Sequence, residues 1–170
     1  MPRRRASAAP TGTRDGRRVS FAVMTPVEAM GQAVASVAAG LRQDRDALAI
    51  LLKMTPDEAV AVAGGMLDLV GLLARIVAEG ENGSAAEMIA AVSEGRSEMV
   101  QRMGAFAIEV ITSGSEVPET VDAAEIIVGL GAIAGRLSEV AAEQEGGSSL
   151  DVLARIGLGV AEMEAFEPPE

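Results

Sequence analysis

Carboxylates dominate the groups in this chain that could do chemistry. There are 25 Asp and Glu against 14 Lys and Arg, with no His, Cys, Tyr or Trp among 170 residues. Without imidazole the commonest general base and the commonest metal ligand are missing. Without thiols there is no thiolate nucleophile, thiolate metal site or disulfide framework. A di-metal site between helices needs Glu-x-x-His pairs, and no histidine exists to complete one. The residue types permit a hydrolase built from carboxylates alone, and no spacing points to one. Asp68 stands alone in a nearly all-apolar stretch. As a buried acid it would have a raised pKa, but a helical wheel sets it opposite the apolar centre, facing solvent on the side of Arg75 and Glu79. Glu87, Glu94, Glu98 and Glu109 likewise flank an apolar stripe and are expected to face water.

Phosphate-binding and nucleophile motifs are missing too. The chain has no GxxxxGK[ST] run and no GxSxG elbow. Gly129-Leu130-Gly131 has neither a preceding strand nor the third glycine of a dinucleotide fingerprint. The reading is therefore of a protein that is not an enzyme, with no catalytic residues, no cofactor and no metal.

Charge is unevenly placed. Arg3, Arg4, Arg5, Arg14, Arg17 and Arg18 oppose only Asp15, so residues 1–20 carry net +5. Residues 21–170 hold eight basic and 24 acidic groups, net −16. Arginines on a flexible arm can neutralise phosphates with salt-sensitive affinity. Residues 1–20 hold no aromatic side chain for base stacking, however, and the acidic body would repel nucleic acid. The same acidity allows another reading, an acidic mimic that covers a basic surface of another protein. Arg17-Arg18 could open an export signal, but Pro26 and Glu28 spoil the apolar region such a signal needs. A cytoplasmic setting is the expectation. Glu28, Asp44, Asp68, Glu79 and Glu87 interrupt the apolar runs, so no membrane span is expected.

The elements that must position these groups read as helices. Residues 1–22 form an Arg-rich arm expected to be disordered, 23–166 one helical domain and 167–170 a short disordered tail. Thr25-Pro26-Val27-Glu28 and Thr55-Pro56-Asp57-Glu58 carry a capping threonine, a first-turn proline and a glutamate that reaches back. Ser84 to Glu87 and Ser148 to Asp151 repeat the logic, with a less clear start between Pro118 and Asp122. Gly80 with Asn82-Gly83, Gly114 and Gly146-Gly147 mark stops. These signals predict helices near 26–52, 56–79, 85–112, 119–144 and 149–165, with Gly40 and Gly95 able to split the first and third. The fold class is all-α, an antiparallel bundle of about five helices. The starts fall about 30 residues apart, as in a helical solenoid, but the likeness of Met24-Thr25-Pro26 to Met54-Thr55-Pro56 fades within a few residues.

Apolar residues recur at helical spacing throughout. Val62, Met66, Leu69, Val70, Leu73 and Val77 form the strongest stripe, widened by Leu67, Leu72 and Ile76. A helix so apolar around its circumference should sit centrally. The helix near 119–144 has a second face of small residues, Ala124, Val128, Gly131, Gly135 and Ala142. Glycine inside a helix costs about 1 kcal/mol relative to alanine, so Gly129, Gly131 and Gly135 together ask for a reason. Close helix approach, within the fold or across a subunit interface, is the simplest. The function expected is that of a non-catalytic helical interaction protein, an adaptor, assembly subunit or small regulator that meets a protein partner or copies of itself.

Overall fold

A computed structural model describes residues 24–114 and 122–166. Among these the fold is all-α, with seven helices and no strand: α1 (Pro26–Leu41), α2 (Arg45–Leu51), α3 (Pro56–Glu81), α4 (Ala85–Ser93), α5 (Glu98–Ser113), α6 (Ala123–Glu145) and α7 (Ser149–Phe166). The arm arginines lie outside the described residues.

Helix starts are where local chemistry puts them. The Thr25 N–H donates to Glu28 Oε2 (2.7 Å) while the Glu28 N–H donates back to Thr25 Oγ1 (3.2 Å). Thr55 with Glu58 and Ser84 with Glu87 close the same reciprocal box. Ser148 with Asp151 does so at the start of α7. Each box satisfies backbone N–H groups that the first turn leaves without partners. Asn82, Gly114 and Gly146 end α3, α5 and α6 in the left-handed conformation.

Two long predicted helices are each broken in two, so seven helices replace five. The second break falls at Gly95, whose φ of +68° turns the chain between α4 and α5. The first comes three residues after Gly40, at Gln43 (φ +57°), where Asp44 then caps α2 by accepting from the Ala47 N–H. The sixth helix begins at Ala123, later than residue 119, because Asp122 is its cap.

Helix α3 is the hub, packing against α1, α4, α5 and α6. Val62, Met66, Leu69, Val70, Leu73 and Val77 are all buried, joined in one core by Ile126, Leu130, Ile133 and Leu137 of α6. By length and composition α3 could cross a membrane, Asp68 notwithstanding; 61% of that stretch is buried inside the fold, as a central helix requires.

The capping carboxylates make acid stability predictable. Backbone and then side-chain hydrogen bonds from Thr55 and Ser84 hold Glu58 and Glu87 below the ordinary glutamate value of 4.5. The Ser148 hydroxyl, then its N–H, does the same for Asp151. A carboxylate whose pKa is depressed by folding contributes stability above its unfolded pKa and loses it as pH falls through the folded one. The sequence has no His or Cys, the side chains whose ordinary pKa values lie nearest neutrality. Urea midpoints should therefore be level between about pH 6 and 8 and fall below about 4.5. Glu58→Gln should flatten that acid slope. A midpoint that drifts between pH 8 and 6 contradicts this account.

Candidate functional site

The small-residue face of α6 is divided by the tertiary structure. Ala142 and Gly135 are buried, Gly131 is partly buried, and Ala124 and Val128 are exposed. Tight approach occurs instead at Gly129, where a Cβ would strike the Met103 side chain of α5. A Cβ at Gly131 would meet only Met66 Cε at 3.9 Å, and one at Gly135 only Leu41 Cδ2 at 3.7 Å, both ordinary contacts. The packing of α6 thus requires glycine at 129 and does not require it at 131 or 135.

What those two glycines line is a cleft of about 420 Å³ between α6, α1 and α2. Its floor runs along α6 from Ile127 through Gly131, Ala132 and Gly135, with Val128 at one lip and Arg136 and Glu139 at the rim. Ser36, Val37, Gly40 and Leu41 of α1 form one wall, and Leu48 and Leu52 close it from the α2 side. The Ser36 hydroxyl donates to Gln32 O (2.8 Å), so the wall presents no unsatisfied polar group. Arg136 donates to Glu139 at the rim, and among the described residues these are the charged groups that line the cleft.

Helix α2 shapes the cleft yet is weakly held. Among the helices it packs against α1 alone, and none of its residues is buried. One long-range bond, from Gln32 Nε2 to Leu51 O (2.8 Å), ties its end to α1. Few buried apolar contacts mark it as a segment of low local stability. Its Ile50 is 70% exposed, and two lips of the cleft, Leu52 and Val128, are 46% and 55% exposed.

The acidic residues are spread over the surface of the helices. Among the described residues no group of three or more Asp or Glu is placed to hold a metal ion. Glu28, Glu58, Glu87 and Asp151 fold back on four separate helix starts, and Glu125, Glu139 and Glu145 pair with Arg102, Arg136 and Arg155. Glu87, Glu94, Glu98 and Glu109 face water as their spacing predicts. Asp68 is exposed; partial desolvation raises its pKa, and the Arg75 charge opposes that shift.

The cleft was not legible in the sequence. Gly131 and Gly135 were its one signal, because helical glycines that neither cap nor turn the chain need a spatial reason. No protein-family model matches the chain, and no curated protein or solved structure is significantly similar to it.

Proposed function

We propose that this chain is a non-catalytic helical interaction protein, its helices forming an antiparallel bundle whose α1–α2–α6 face recognises a protein partner or a second copy. The observation that carries this reading is the apolar cleft with Val128 and Leu52 left in solvent at its lips. Soluble proteins rarely leave contiguous apolar surface uncovered unless something binds there. The residue palette supports the same conclusion: with no His or Cys the chain lacks the imidazole general base and the thiol nucleophile, while recognition by burial is within its means.

Val128→Glu tests the reading. Val128 points out of α6 at the cleft mouth, so the change leaves the core intact and sets a charge where a partner must dehydrate it. Association should weaken at least tenfold, about 1.4 kcal/mol. The measurements are molar mass by light scattering and retention of defined partners on immobilised protein. A one-chain mass for wild type and variant alike, with no partner that the variant loses, overturns the proposal.

A further inference from the structure

We infer that the concave part of the cleft binds a medium-chain aliphatic carboxylate, its chain along the glycine floor of α6 and its head group on Arg136. This rests on reading the α1–α2–α6 face as a binding surface, and it names what the hollow within that face holds.

Size comes first. At about 420 Å³ the cleft falls in the range of small-molecule sites. Val128 to Arg136 spans eight residues of α6, roughly 12 Å at the helical rise. Over that length the cleft volume leaves ample room for a hydrocarbon chain. An extended chain advances about 1.2 Å per bond, so the floor accommodates roughly ten bonds.

Chemistry narrows the choice. Val37, Leu41, Leu48, Leu52 and Ile127 make the walls aliphatic, and no aromatic ring lines them to reward a planar ligand. The Ser36 hydroxyl is already bonded to Gln32 O. A polar atom placed against these walls would go unpaired, at a cost no contact there offsets. Hydrocarbon alone is rewarded.

The rim differs. Arg136 has five N–H donors in a planar fork, and among the described residues its one partner is Glu139, engaged through Nη1. The remaining donors can take a carboxylate, the anion whose geometry a guanidinium matches. Gly131 and Gly135 keep the floor open although alanine would fit at both, at the expense of about 1 kcal/mol of helix propensity each. Leu48 of α2 borders the cleft from the side opposite α6.

Isothermal titration with decanoate and with decanol tests the inference on the full-length chain. Decanoate should bind saturably at one site, about fivefold more tightly than decanol, the scale of an exposed ion pair. Arg136→Gln should weaken decanoate about fivefold and leave decanol unchanged. Gly131→Leu should abolish binding of both by filling the floor. Ala132→Leu, at an exposed helical position on the same floor, does the same should the first variant fold poorly. No saturable decanoate binding, equal affinity for the alcohol, or indifference to Arg136→Gln overturns the proposal. Those results leave the effect of Val128→Glu on association untouched, so the ligand and the interaction surface fail separately.

Discussion

Gly65→Ala is expected to destabilise the protein while Gly64→Ala, one residue earlier, stabilises it. Both substitutions add a methyl group inside α3, and both gain about 1 kcal/mol of helix propensity. They differ in what the methyl meets. A Cβ at Gly64 has nothing within 4 Å, whereas one at Gly65 would lie 2.5 Å from the Ala29 carbonyl carbon and oxygen and 2.7 Å from the Met30 nitrogen. Those are backbone atoms of α1, which cannot rotate aside as a side chain can. Helix α1 must therefore retreat from α3 along its whole contact, and overpacking of this kind costs about 1–3 kcal/mol, occasionally more. Backbone atoms this close set the cost at the upper end of that range, so after the propensity gain Gly65→Ala should still lose about 2 kcal/mol, and the neighbouring pair should differ by roughly 3 kcal/mol in urea denaturation. Equal midpoints for the two variants would show that α1 and α3 are not in backbone contact at this point.

The second large effect lies deeper in the same helix. Leu73→Ala should cost about 2–5 kcal/mol, because Leu73 has no exposed surface and its removal leaves a cavity that α6 and α3 close only in part. For a chain of this length that corresponds to a fall in Tm of roughly 5–15 °C. Leu158→Ala on α7 is the matched control: the same atoms are deleted from a side chain 67% exposed, and the change should stay within about 0.5 kcal/mol. A small loss at Leu73 would remove α3 from the centre of the fold.

Asp68 shows how far a residue pattern can be trusted for chemistry. The wheel that placed α3's stripe also placed Asp68 outside it, and the carboxylate is exposed. The remaining pKa effect, upward through partial desolvation, depends on the atoms that α3's neighbours bring near it. A raised carboxylate pKa opposes the capping boxes: its effect on stability is most favourable below its unfolded pKa and declines as pH rises. It therefore reduces, and does not cause, the acid loss expected from Glu58, Glu87 and Asp151.

Helix identity, the four reciprocal caps and the centrality of α3 were written in the order of residues. Capping acts over three positions and an apolar stripe over one helix, so both are specified by residues close together in the chain. Which glycine is pressed and which is free was decided only by the fold. Gly129 meets Met103 and Gly65 meets Ala29, while Gly131 and Gly135 border open space, although all four are helical glycines. That difference depends on which helix comes to lie opposite each Cα and how closely, a relation among elements far apart in the chain that no local spacing encodes. The cleft arises in the same way, from α2 breaking away at Gln43 and standing on α1 opposite the glycine floor of α6.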